Sequence, residues 1–235
     1  MKVRVKFTKT GSMKFIGHLD IMRYFQKAVR RAKIDIAYSE GYSPHMIMSF
    51  AAPLGVGVTS EGEYFDMELR SAESSAEMER CMNEAMVEGM HIVSIHRIPE
   101  EKSSNAMALV AAADYFVTFR EGKEFPEGWK DQLDDFLAQE EILCIKQTKK
   151  GEKEVDIRPW IYRMEIRGNG IFMKLSSGSV KNLKPEMVMQ ALSSYLGYQL
   201  EEYALMIHRI EIYANSVDET EDNLVSLERL GEEIE

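Results

Sequence analysis

Cysteine is almost missing from this chain. Cys81 and Cys144 are the only two in 235 residues. They lie far apart without paired spacing, which excludes a disulfide framework or a zinc ribbon as the organising device. A Cys-ligated iron–sulfur cluster needs about three or four cysteines on one chain. None is expected here, and neither a metal nor a cofactor is expected on this chain. Long apolar runs are also missing. No stretch approaches the roughly eighteen residues of a membrane helix, and the opening MKVRVKFTKTG has no apolar core of a signal peptide. The expectation is a cytoplasmic protein with no membrane partner. Walker loops, HExxH helices and Gly-x-Ser-x-Gly elbows are lacking too, so the common nucleotide, zinc-peptidase and hydrolase chemistries have no motif to stand on.

What is present is an ordinary globular composition, 45% hydrophobic and 29% charged, long enough for one large domain or two small ones. The net charge of −10 hides an asymmetry. Residues 1–58 hold ten Lys/Arg against Asp20, Asp35 and Glu40, a net of +7, which leaves −17 for the remainder. Residues 216–235 contain eight acids and only Arg229. Such a split marks either a polyanion-binding region with an acidic tail elsewhere, or a strand and helix whose charges are simply solvated.

Taken in order, Val3, Val5 and Phe7 alternate with Lys2, Arg4 and Lys6, the pattern of a half-buried strand with a basic outer face. A helix follows over 18–33, with Leu19, Met22, Phe25, Val29 and Ala32 at helical spacing. Asp20 sits in its first turn, where the dipole favours a negative charge. Arg23, Lys27, Arg30 and Arg31 fall on its other side. Tyr38–Gly57 is a loop-rich stretch, YSEGYSPHMIMSFAAPLGVG, leading into a strand and then the alternating YFDMEL. Ser74-Ser75-Ala76-Glu77 starts a second helix, and HIVSIHRI forms a strand ending at Pro99. Strand, helix, strand, strand, helix, strand is the ferredoxin-like β-α-β-β-α-β order.

The polar segment 101–106 reads as a boundary. The order then restarts with strand 115–119, helix 129–138 and strand 142–147. After the turn Lys149-Lys150-Gly151, strands 162–166 and 171–176 flank the hairpin signal Gly168-Asn169-Gly170. A helix opened by Lys184-Pro185 and strand 205–214 close it. The fold expected is α+β: tandem ferredoxin-like units with antiparallel sheets, over 1–100 and 107–215, followed by an acidic tail, 216–235.

His18 and His45 are the histidines best placed for acid–base chemistry. His18 begins a helix and His45 sits in a loop, and each also reads as a capping or loop residue. Tyr38, Tyr42 and Phe50 beside a cationic helix resemble the stacking surfaces used for single-stranded nucleic acid; core packing is the competing reading. Arginine suits such a face because its fork binds phosphate in two places and stacks on bases. One surface lined by His18, Arg23, Arg30, Arg31, Tyr42 and His45 is therefore expected, with Lys27 and Tyr38 beside it. In the second half, Arg158 precedes a proline and is held extended. Ser177 and Ser179, in a Ser/Gly run before a helix, offer anion-binding backbone and hydroxyl donors.

The segment KFTKTGSMKFIGHLDIMRYFQKAVRRAKIDIAYSEGYSPHMIMSFAAPLGVGVTSEGEYFDMEL closely resembles the start of the bacterial radical-SAM-linked proteins, a family of unknown function. DIRPWIY and SSGSVKNLKPEMV are similar to that family's later motifs. The resemblance spans essentially the whole chain and implies the stand-alone form, a partner of a radical SAM enzyme. Two functions follow from different classes. One is a non-catalytic companion that binds RNA or another anionic substrate and presents it to that enzyme. The other is an RNA-processing or RNA-modifying enzyme using His18 or His45 as acid or base.

Overall fold

The structure is a computed structural model that describes residues 1–101, 104–148, 151–179, 181–215 and 223–235. The turn expected at Lys149-Lys150 and the first part of the acidic tail, 216–222, lie outside the described residues. The chain is α+β with a mostly antiparallel sheet. Two compact units are Met1–Ala112 together with Arg209–Glu235, and Ala113–His208. The sequence pattern placed the division at 101–106; the structure places both crossings inside strands.

The first unit begins with β1 (Lys2–Lys9), a 3-10 turn (Gly11–Phe15) and α1 (His18–Arg31). Then come β2 (Met48–Phe50), β3 (Thr59–Glu68), α2 (Ser75–Glu84) and β4 (Met90–Ile98). Ser74 caps α2, its hydroxyl accepting from the Glu77 N–H at 3.3 Å, as the Ser-Ser-Ala-Glu run predicts. All pairings here are antiparallel: β4 with β1, β1 with β3, and β3 with β2. The resulting order, β4-β1-β3-β2, matches the β-α-β-β-α-β connection. A short α3 (Ala106–Leu109) follows and leads into β5 (Val110–Phe119).

Alternation along β1 and β3 sorts two chemistries onto the two faces of the sheet. Val5 and Phe7 lie on one face with Phe65 and Met67, all buried. Phe7, Phe25 and Phe65 form the centre, with ring centroids 4.6 Å (Phe7–Phe25) and 4.7 Å (Phe25–Phe65) apart, mostly edge-on or tilted. Edge-to-face geometry suits the ring quadrupoles. Phe50 packs into the same cluster, 5.2 Å from Phe65, so the expected stacking surface loses it to the core.

The other face is ionic. Lys2, Arg4 and Lys6 stand opposite Glu68, Asp66 and Tyr64 in the β1–β3 register. The sequence pattern made this a solvent-facing basic surface, yet Arg4 is only 2% exposed. The reason is tertiary: β10 (Leu205–Asn215) and the C-terminal segment bring acids over it. Lys6 Nζ donates to Glu211 at 2.8 Å and Glu228 at 2.9 Å.

Where the sequence pattern set 216–235 apart as a tail, Asn223–Glu235 belongs to the first unit. β11 (Leu224–Ser226) pairs with β10, and Leu227 is fully buried. Glu232 exchanges two backbone hydrogen bonds with Arg97 on β4, and Ile234 bonds to Ser75. The apolar residues Leu227 and Ile234 pull an acidic segment back onto an otherwise open edge strand.

The second unit contains the rest of β5 and a 3-10 turn (Trp129–Gln132) that runs into α4 (Leu133–Leu137). β6 (Leu143–Thr148) and β7 (Gly151–Asp156) follow, then β8 (Ile161–Arg167), β9 (Gly170–Ser176) and α5 (Pro185–Tyr195). β5, β9 and β8 are neighbours in that order, while β6 and β7 form a separate two-stranded sheet. The unit departs from a plain repeat of the first. Its first helix is five residues long after Gly128 in the left-handed region, and β7 emerges where the sequence showed only a charged turn. The β8–β9 hairpin closes on Gly168 at φ 58, as the Gly-Asn-Gly signal predicts.

Candidate functional site

The expected single surface divides in two. His18 occupies the first turn of α1, with its ring edge-on to Phe50 at 5.4 Å. Arg30 and Arg31 occupy the last turn, twelve or more residues on and so roughly 18 Å along the axis. His45 belongs to their end of the unit. Tyr38 bridges to Met46 and Ile36 to Leu69, which puts the Ser39–His45 loop beyond the end of β3. From His45 to Phe50 is roughly 16 Å of extended chain. The two histidines therefore work in different places.

At the His45 end, the loop is closed by Ser39. Its Oγ lies 2.8 Å from His45 Nδ1 and accepts from the His45 N–H at 3.1 Å. Tyr42 is fully exposed at the tip, and Tyr38 is at the margin of exposure. On α1, Arg23, Lys27, Arg30 and Arg31 are all exposed. Arg23 pairs with Asp20 at 3.2 Å, an exposed contact worth little. Arg31 Nη1 donates to the Ala85 carbonyl at 3.4 Å.

At the His18 end lies a cleft of about 20 Å³, room for about one water molecule. Its wall combines His18, Phe50, Pro53 and Leu54 with two buried ionisable groups, Lys9 and Glu63. Lys9 Nζ donates to the Ile16 carbonyl at 2.9 Å. Burial lowers its pKa, partly opposed by the Glu63 charge. Glu63 is held by Arg209 Nη1 at 3.0 and 3.3 Å. Burial nonetheless raises its pKa against the pull of Arg209 and Ser60. Buried groups shifted toward neutrality beside a histidine mark a candidate reaction or binding site.

Lys9, Glu63 and Arg209 did not emerge from the sequence pattern. The signal for Lys9 was present: it continues the inward phase Val3, Val5, Phe7. Glu63 likewise precedes Phe65 and Met67 in the inward phase of β3. Arg209 has no local signal, because its partner is 146 residues away.

In the second unit, Arg158 is half-buried, with Nε donating to the Leu137 carbonyl at 2.7 Å and Nη1 to that of Ile161 at 3.3 Å. Ser177 is buried and Ser179 exposed. A groove of about 790 Å³ runs between β6 and α5, lined by Leu143, Ile145, Met187 and Tyr195 among others. None of the expected site residues lines it. Among the described residues, no group of three or more His, Cys, Asp or Glu is placed to hold a metal ion. Among the described residues, no helix is long and apolar enough to cross a membrane.

An α+β chain with a cationic helix stripe and a buried ionic cleft is the class that fold and site define. The chain belongs to the family described as "Uncharacterized protein conserved in bacteria (DUF2344)", whose model matches residues 2–185. No curated protein matches it. Among solved structures it is similar to a chain of a "Crystal Structure of a Cbf5-Nop10-Gar1 Complex", at 9% identity and a TM-score of 0.46. That match covers 89% of this chain and 48% of the other. A likeness at this level says nothing about activity.

Proposed function

We propose that the chain is a non-catalytic companion protein that binds RNA or another anionic substrate on the exposed stripe of α1 and presents it to a radical SAM enzyme. The observation that carries the anion-binding part is the fate of the basic residues. Arg4, Lys6 and Lys9 are taken into the fold by acids or carbonyls, whereas Arg23, Lys27, Arg30 and Arg31 remain exposed on one helix. The radical SAM partner is supported by the sequence resemblance over 6–69. The expected cytoplasmic setting and the anion-binding roles of Tyr38, Tyr42, Arg158, Ser177 and Ser179 belong to the same reading. Arg158 contributes least, since its guanidinium already serves two carbonyls.

The test is a titration of single-stranded RNA at several salt concentrations. Each phosphate contact removed with Arg30→Ala or Arg31→Ala should lower the log–log salt slope by roughly 0.7. Binding identical to wild type would show the stripe to be merely solvated. The cleft favours a second reading, an RNA-processing or RNA-modifying enzyme with His18 as acid or base. Under it, His18→Ala abolishes product formation while leaving RNA affinity in place; unchanged products from both proteins, or none from either, refute it.

A further inference from the structure

The cleft end of the first unit carries an apolar patch that the companion reading does not use. Phe15 is 65% exposed, Leu19 67% and Val56 64%. They belong to one surface. The Gly57 N–H donates to the Lys14 carbonyl at 2.8 Å, tying the 53–57 loop to the 3-10 turn. Val56 Cγ2 lies 4.0 Å from where a side chain on Gly17 would begin. His18, Pro53 and Leu54 form the cleft wall beside them. Single exposed apolar residues are ordinary, but three large ones gathered around a cleft mark an interaction surface.

The flanking charge decides the occupant. Leu19, which the apolar spacing assigns to the inward face, is instead exposed, and with Arg23 and Lys27 at four-residue steps it runs up one stripe of α1. Lys14 Nζ lies 5.1 Å from the Phe15 ring centroid. The patch thus has Lys14 and Lys27 as cations beside it, with Arg23 on the same helix paired to Asp20, so the rim is net positive. A second copy meeting it across a two-fold axis would bring Lys14 and Arg23 of each copy toward those of the other. Nucleic acid would use the cations, but Leu19 and Val56 have no π-face on which a base can stack. We propose that Phe15, Leu19 and Val56 form the docking site for a protein partner whose surface is apolar at its centre and acidic at its rim. Apolar anchors supply the affinity of such a contact, and rim charges supply orientation and on-rate.

The experiment uses the full chain, immobilised, and short random peptides displayed on phage as the probe. Selected peptides should combine large apolar residues with Asp or Glu. Their affinity should fall by about tenfold or more for the triple variant Phe15→Ser, Leu19→Ser, Val56→Ser. Lys14→Ala with Arg23→Ala should weaken binding several-fold and reduce its salt dependence. Circular dichroism and thermal melting confirm that the variants are folded, and Leu19→Ser alone serves if the triple variant is not. Peptides that bind wild type and triple variant equally, that lack acidic residues, or that are not enriched at all overturn the proposal. So does a Leu19-dependent dimer in sedimentation. Oligouridylate is titrated in parallel, so failure of RNA binding on the α1 stripe is read separately. Loss of that RNA binding in the triple variant would reassign the patch to nucleic acid.

Discussion

Arg4 and Asp66 stand directly opposite each other on β1 and β3, and their side chains meet in a buried fork. Nε to Oδ1 is 2.8 Å and Nη2 to Oδ2 is 3.1 Å. Both groups are heavily engaged. Arg4 also donates to the carbonyls of Leu227 and Ser104, and Asp66 Oδ2 accepts from the Ala106 N–H at 2.6 Å. Asp66→Asn should therefore cost about 3–5 kcal/mol, because a buried guanidinium is left without its counter-charge. Urea unfolding measures this. The double variant Arg4→Met, Asp66→Leu should recover only part of the loss, because the Leu227 and Ser104 carbonyls and the Ala106 N–H lose these partners; a cost for Asp66→Asn near zero would refute the argument.

Glu228 contributes to the acid side of the stability profile. Burial pushes its carboxyl up, but the Ser94 hydroxyl at 2.5 Å and Lys6 outweigh this and hold it below 4.5. A depressed carboxylate contributes stability that is present above pH 4.5 and lost as pH falls through its folded value. Glu228→Gln should be less stable than wild type at neutral pH, and the difference should shrink below pH 4.5. Parallel melting curves from neutral pH to pH 3 check it; a constant difference across that range would contradict the assignment.

Gly62 sits in β3 where another strand's backbone passes. A Cβ there would fall 2.7 Å from Glu211 Cα and closer still to the Ile210 carbonyl. Gly62→Ala should cost about 1–3 kcal/mol, since the β10 backbone at Ile210–Glu211 or β3 itself must shift. Thermal melting reads it directly. A control substitution at Gly122, where nothing stands within 4 Å, meets only the strain of a φ of 74.

The C-terminal segment shields an edge. A chain ending at Gly231 loses the two Arg97–Glu232 backbone hydrogen bonds and those between Ser75 and Ile234. It should melt at a lower temperature and self-associate through β4, as uncovered edge strands do. Sedimentation over a range of concentrations tests this, and a monomeric, equally stable product would show the segment to be dispensable.

Local chemistry was enough to place most elements. Alternation marked β1 and β3, the Ser74–Glu77 cap began α2, and Gly168-Asn169 turned β8 into β9. The exposed stripe of α1 was also legible, because helical periodicity alone puts Arg23, Lys27, Arg30 and Arg31 opposite Phe25 and Val29. Period 2 could tell that Lys2, Arg4 and Lys6 share a face, but not what covers that face. Only the return of β10 and the C-terminal segment made it an ionic interior, joining Lys6 to Glu211 and Glu228. The separation of His18 from His45 was likewise decided in three dimensions: sequence proximity suggested one surface, while a fourteen-residue helix and an extended strand carried them to opposite ends. Long-range pairing of charges has no periodic signature, since an acid's partner is chosen by which strand arrives beside it. Alternation turns Lys9 and Glu63 inward, but the pairing of Glu63 with Arg209 belongs to the tertiary structure.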